Sequence, residues 1–335
     1  MLTMTDYAES LVTSSLASLH RANPHLVVCH PDPAYVVRAP ADGAPKVALV
    51  SGGGSGHEPL HTGFVGTGML DAAVPGAIFA SPTASQIRAA IRAAHRGRGA
   101  LLIVKNYTGD VLNFSIAAEL AAADGIETRT VLVDDDLATG ERAGQDPHHP
   151  GRRGTAAVIA VEKICGAAAE AGAGLDELAD LGRRVVGSAR TMALALAACT
   201  HPSQLRPAFE LGDDEIEFGV GIHGERGVEV RRRTAVPDLV ASLAEPITEA
   251  LGLAEGDAVI AIVNGLGGTY GLELSLVHDA LAAYLDTRGI GIARTLVGDY
   301  VTALDMRGFS ITLVRAAEEF VDLWDAPVRA PALTW

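Results

Sequence analysis

His57 and Glu58 stand at the end of the run Val47-Ala-Leu-Val-Ser-Gly-Gly-Gly-Ser-Gly-His-Glu-Pro59, where a short apolar strand breaks into glycine and serine. Glycines past a strand let backbone N–H groups approach a ligand, because no Cβ intervenes. In open α/β sheets ligands bind beyond the carboxyl ends of strands. The run therefore suggests a pocket for a polar small molecule, with an imidazole and a carboxylate beside it. A second strand, in Leu101-Leu-Ile-Val-Lys-Asn-Tyr-Thr-Gly-Asp110, runs into Lys105 and Asp110. Lysine can neutralise or hydrogen-bond a ligand oxygen, and aspartate can take a hydroxyl proton as a general base. In Phe218-Gly-Val-Gly-Ile-His-Gly-Glu225, His223 follows an alternating strand with glycine close on both sides. A neutral ring nitrogen is a nucleophile, and histidine can form covalent intermediates. Each segment also has a plainer reading: a tight turn, a surface ion pair, a core histidine.

Familiar motifs fail at informative places. No Gly-Lys-Ser/Thr exists to end a phosphate-binding Walker loop, and a G-x-G-x-x-G count from Gly52 reaches His57 in its sixth position. A G-x-S-x-G elbow counted from Gly53 also meets His57 where glycine is needed. His57-Glu-Pro-Leu-His61 matches the zinc-protease pattern H-E-x-x-H. That pattern needs both histidines on one face of a helix, and Pro59 opposes the helix there, so no metal is assigned. Asp134-Asp-Asp136 is read as a strand end with solvated charges and a helix-capping role, and His148-His149 as an exposed loop pair.

The elements that must hold these residues are those of a globular α/β chain. Of 335 residues, 48% are apolar and 20% charged, enough to bury a large core. The net charge of −15 argues against nucleic acid and anionic membrane surfaces, both of which attract basic patches. Cys29, Cys165 and Cys199 are widely spaced and form no CxxC pair, as in reduced cytoplasmic proteins. The N-terminus lacks a signal-peptide pattern. The longest apolar stretch, 156–171, is interrupted by Glu162 and Lys163, so no membrane span is expected.

Strand signals at 46–50, 76–79, 100–104 and 130–133 alternate with helix signals at 81–92 and 114–123, the former opened by Ser81 as cap and Pro82. This predicts a largely parallel sheet with helices on both faces. Helices follow at 156–171 and from Leu175. Further strands are expected at 215–222, 258–263, 294–296 and 310–314, with a helix at 271–287. The division is placed at two α/β domains: 1–190, carrying the glycine loop, Lys105 and Asp110, and 191–335, carrying His223.

Taken together, Ser51-Gly-Gly-Gly-Ser-Gly-His-Glu-Pro59, Ile103-Val-Lys-Asn-Tyr-Thr-Gly-Asp110 and Glu217-Phe-Gly-Val-Gly-Ile-His-Gly-Glu225 resemble the dihydroxyacetone-binding subunit of dihydroxyacetone kinases. Gly76-Ala-Ile-Phe-Ala-Ser-Pro-Thr83, Gly151-Arg-Arg-Gly154, Ser310-Ile-Thr-Leu313 and Trp324-Asp-Ala-Pro-Val328 extend the likeness over nearly the whole chain. The resemblance implies a two-domain homodimeric subunit in which a ring nitrogen of His223 adds to the C2 carbonyl of the ketose as a hemiaminal. That discriminates against glycerol, which has no carbonyl. It implies that Gly54, Ser55, Gly56, His57, Ser81, Lys105 and Asp110 line the site, with Asp110 and His57 deprotonating the attacking hydroxyl. It also implies that ADP or ATP with Mg sits on a separate nucleotide-binding subunit (L-type), fed by ATP exchange or a phosphotransferase-system donor, and that this chain binds the ketone without phosphorylating it alone.

Three features depart from the family pattern: the His/Pro-rich loop 141–150, Arg226 where proline is common, and Tyr270-Gly271 after Gly-Gly-Thr269. They leave dihydroxyacetone and a four-carbon ketose both open. The alternative is a non-catalytic ketose-binding regulatory protein using the same pocket; Asp110 favours catalysis, since binding through His223 needs no base.

Overall fold

Six strands form the first sheet: β1 (Val27–Pro31), β2 (Ala34–Arg38), β3 (Ala48–Ser55), β4 (Ala72–Ile78), β5 (Ala100–Lys105) and β6 (Thr128–Val133). They lie in the order β1-β2-β4-β3-β5-β6. The computed structural model describes residues 10–40, 44–140, 151–204 and 206–335, so the loop 141–150 with His148 and His149 lies outside the described residues. Strands β4, β3, β5 and β6 pair in parallel, and the β1–β2 hairpin adds an antiparallel edge. Every residue of β3 and β5 is buried. Strands apolar on both sides need cover on both faces, which the crossover helices of a parallel sheet supply.

One face packs Val50, Leu102 and Val104 against α2 (Ala84–Ala94) and α3 (Thr108–Ala123), through Ile87, Ile91, Phe114 and Ala117. Helix α2 opens two residues later than the sequence suggests. Thr83 rather than Ser81 is its cap, because Gln86 three residues on completes a capping box with Thr83. Helix α3 starts six residues before the expected Phe114, which places Asp110 in its first turn. Helices α4 (Ala157–Glu170) and α5 (Leu175–Gly187) follow.

The second sheet has the order β11-β10-β12-β7-β8-β9, from β7 (Ala189–Ala197), β8 (Glu215–Phe218), β9 (Glu229–Arg232), β10 (Ala258–Gly265), β11 (Gly291–Gly298) and β12 (Arg307–Arg315). Only β10 and β11 pair in parallel. Its core joins Leu194, Ile216, Val263 and Ile311 to α6 (Val236–Leu251) and α7 (Gly271–Asp286). The strand expected over 215–222 stops at Phe218. Gly219 has φ 74°, a left-handed conformation that takes the chain out of the ladder.

The chain divides into two compact units: residues 1–133, 158–185 and 322–335, and residues 134–157 and 186–321. The division thus differs from the single cut at 190. The C-terminal segment returns to the first unit because Thr67 and Arg329 exchange backbone hydrogen bonds at 2.9 and 3.1 Å. Residues 134–157 join the second because the Asp135 carboxylate accepts from Thr155 N–H at 2.7 Å and from the Thr191 hydroxyl of β7. Asp135 is fully buried and also accepts from Ala157 N–H at the start of α4, so it caps that helix as expected but is not a solvated charge.

Candidate functional site

In the first unit, parallel strands deliver polar side chains to their carboxyl ends. The glycine loop is the end of β3, Ser81 follows β4, and Lys105 is the last residue of β5. Asp110 projects from the first turn of α3, where the positive helix end favours a carboxylate. Lys105 Nζ lies 3.8 Å from Asp110 Oδ2 and donates to the Gly52 carbonyl at 3.3 Å. Both side chains are buried, and among the described residues Asp110 Oδ1 has no hydrogen-bond partner. Gly53 makes room for the ammonium: a Cβ there would stand 2.4 Å from Lys105 Nζ. Gly53→Ala is expected to displace that cation and to cost about 1–3 kcal/mol of stability, measured by denaturant unfolding. An unchanged midpoint would show that Lys105 moves aside freely.

His57 is buried and stacks on Phe79 with ring centroids 5.3 Å apart. Ser55 donates its hydroxyl to the Gly76 carbonyl at 2.8 Å, fixing the loop to β4, and Gly56 N–H donates to the Glu58 carboxylate at 3.0 Å. Ser81, half-buried, faces the start of α3: its Oγ lies 2.7 Å from where a Cβ on Gly109 would stand. The run 57–61 forms turns, not a helix, as Pro59 requires. The H-E-x-x-H histidines therefore do not share a helical face, and His61 is engaged on both ring nitrogens.

Those engagements were not foreseen. His61 Nε2 lies 2.8 Å from Lys105 Nζ, and its Nδ1 lies 2.6 Å from Glu162 Oε1 of α4. Burial pushes His61 well below the usual histidine range, reinforced by the Lys105 ammonium and His57. Burial also lowers Lys105, against the pull of Asp110 and Glu162, and pushes Glu162 up to about 8. Every direction is towards the neutral form.

In the second unit, His223 sits in the loop between β8 and β9 and its backbone N–H donates to Glu225 Oε2 at 2.8 Å. Arg153 fastens that loop. It donates to Glu225 Oε1 at 3.0 Å, to the Gly219 carbonyl at 2.9 Å and to Asp136 Oδ2 at 2.7 Å. Asp136 is pushed up to about 6 by burial, against the Arg153 guanidinium. Arg226, where the family pattern has proline, reaches Glu217 Oε2 at 3.4 Å. Sequence reasoning gave Arg153, Glu225, His61 and Glu162 no role. Glu162 showed only as an interruption of an apolar stretch, Arg153 and Glu225 as charges in glycine-rich runs, and His61 only through the H-E-x-x-H pattern.

Such an arrangement defines an α/β protein whose buried acid–base side chains gather at parallel strand ends. Residues 17–332 match the Dak1 domain, and the chain belongs to that family. It is 44% identical to the dihydroxyacetone-binding subunit DhaK of the PEP-dependent dihydroxyacetone kinase of Escherichia coli (strain K12), over 98% of this chain and 97% of that one. Among solved structures it is similar to the C. freundii dihydroxyacetone kinase, with TM-score 0.89 and 33% identity over 99% of this chain and 60% of that one. Another structure of that kinase holds AMP-PNP and Mg2+. It is also similar to the dihydroxyacetone kinase operon co-activator Dha-DhaQ, with TM-score 0.88 and 31% identity over 95% of this chain and 97% of that one. Among the described residues no helix is long and apolar enough to cross a membrane.

Proposed function

We propose that this chain is the substrate-binding subunit of a kinase for dihydroxyacetone or a related short ketose. The observation that carries the reading is Asp110: a buried carboxylate whose Oδ1 is unpartnered among the described residues and whose Oδ2 lies 3.8 Å from the Lys105 ammonium nitrogen at the strand ends. A protein that only binds a ketone has no need of a buried base. The lone pair of a His223 ring nitrogen forms a bond to C2, the carbonyl π pair passes to oxygen, and the proton of the other ring nitrogen ends on that oxygen. A hydroxyl of the bound ketose then loses its proton to Asp110, assisted by His57, as its oxygen attacks phosphorus and the bond to the donor breaks. Gly54, Ser55, Gly56, Ser81 and Lys105 supply donors to the ketose oxygens.

The phosphoryl group arrives on a nucleotide-bearing partner subunit, with ADP or ATP and Mg held there. Two findings support this. The E. coli relative is named as one subunit of a PEP-dependent kinase. The C. freundii kinase, of which this chain matches 60–61%, has a structure with AMP-PNP and Mg2+. A homodimer in the cytoplasm completes the reading, in keeping with three free cysteines.

The test is a crystal soak with dihydroxyacetone, paired with calorimetry on wild type and His223→Ala. Continuous density from the ring to C2 is expected, with affinity at least about tenfold weaker in the variant. Equal affinity in His223→Ala would overturn the covalent role. The likeness to the co-activator Dha-DhaQ favours a second reading, a ketose-responsive regulator without turnover.

A further inference from the structure

Behind the glycine loop, His61 and Glu162 are buried and have no part in the chemistry above. The 2.6 Å contact of His61 Nδ1 with Glu162 Oε1 and the 2.8 Å contact of His61 Nε2 with Lys105 Nζ each need one hydrogen between the heavy atoms. Two arrangements provide this. In the ionic one, Nδ1–H donates to a Glu162 carboxylate and a Lys105 ammonium donates to Nε2. In the neutral one, a Glu162 carboxylic acid donates to Nδ1 and Nε2–H donates to a Lys105 amine. Two short proton shifts interconvert them, one from Nζ to Nε2 and one from Nδ1 to Oε1. No proton enters or leaves the triad, and its net charge is zero in both.

Building on the proposed kinase function, we infer that His61 and Glu162 are positioning residues that match the charge of Lys105 to that of Asp110. While Asp110 is a carboxylate, the ionic arrangement sets an ammonium 3.8 Å from it. Once Asp110 holds the ketose proton, the ammonium loses its counter-charge and the neutral arrangement takes over. The exchange relays one proton from Lys105 to Glu162, leaves the triad's net charge at zero and ends with no ion among its three members, where a buried unpaired ion would be costly.

The surroundings fit this role. The titratable groups facing Lys105 are His61, Asp110 and Glu162, and those facing His61 are Lys105, His57 and Glu162. Lys163, next in the chain, instead donates to the Leu323 carbonyl at 2.8 Å. Ser51 Oγ lies 2.7 Å from the Ile103 carbonyl and 3.1 Å from His61 Nδ1, and a Ser51 hydrogen bond holds Glu162 down against its burial. Burial drives all three members towards neutrality, with Glu162 up at about 8, which brings the two arrangements close in energy.

The test needs no turnover in its first arm. Nitrogen NMR of the histidine-labelled full chain at pH 7.5 reads which ring nitrogen of His61 carries hydrogen. Wild type is expected to show Nδ1–H, Asp110→Asn to swing to Nε2–H, and Asp110→Asn with Glu162→Gln to stay Nδ1–H, because glutamine cannot take up the relayed proton and the Lys105 ammonium goes on donating to Nε2. One tautomer in wild type and Asp110→Asn alike overturns the inference. If the Gln variant fails to fold, that comparison alone decides. In the second arm, with the partner subunit and phosphoryl donor, Glu162→Gln is expected to keep dihydroxyacetone affinity within about threefold. The alkaline limb of its kcat profile should move about one pH unit to the acid side, because the ammonium has lost its distant anion. A pair that only fills space leaves that limb unmoved. Wild type without turnover sinks the kinase reading, while the NMR result still judges the relay.

Discussion

Asp110→Asn is expected to lower the turnover of ketose phosphorylation about 10^3-fold while changing dihydroxyacetone affinity less than about fivefold, the signature of a lost general base. The substitution keeps the size and shape of a side chain buried in the first turn of α3 and removes only its charge and basicity. It retains a hydrogen-bond acceptor 3.8 Å from Lys105, so the loop and the strand ends stay in register. The measurement pairs a steady-state assay, run with the partner subunit and phosphoryl donor, with calorimetry of the ketose on the isolated chain. A loss confined to kcat assigns the base; a loss confined to affinity makes Asp110 a binding group. If wild type itself captures the ketose but never turns it over with a competent partner, the regulator reading prevails, and Asp110 serves to hold Lys105.

What the residues disclosed in advance was the part of the site that is local in sequence. A β-strand followed directly by polar residues is legible because strand ends face the ligand side of a parallel sheet; the glycine loop and Lys105 were singled out this way, and both stand at strand ends. Asp110 was found, but its helical setting was not. Tyr107 supplies no side-chain cap and Gly109 weakens the helix signal, so the helix seemed to begin at Phe114. Glu162 lies 101 positions from His61 and was visible only as an interruption of an apolar stretch. Nothing in the spacing says that α4 brings it beneath the loop. Strand β7 was hidden for another reason. Its residues 192–197 are all apolar, and Met192 through Ala195 are buried, so no polar–apolar alternation marks the strand. The cut at 190 differs from the two compact units where the chain crosses between them more than once, which depends on long-range pairings such as Thr67 with Arg329.

Lys105→Met is expected to cost about 3–5 kcal/mol at neutral pH, because it strands a buried carboxylate rather than merely deleting a contact. Methionine keeps the apolar stem and nearly the volume, so the cavity term is small. Glu162 adds little to the loss, since burial pushes its carboxyl up to about 8 and it can take up a proton once the ammonium is gone. Asp110 is the group left exposed to the full penalty of an unpaired charge. The penalty of an unpaired buried carboxylate is relieved when acid neutralises it. The defect of Lys105→Met should therefore be smaller at pH 5 than at pH 7.5. Adding Asp110→Asn should recover at least half of the loss at pH 7.5, with a coupling in the double-mutant cycle of about 2 kcal/mol or more. Denaturant unfolding of the four proteins at the two pH values supplies the measurement. A pH-independent defect, or a double variant worse than Lys105→Met alone, would mean that the lysine stabilises by packing. The ammonium would then be free to serve the ketose rather than tied to the fold.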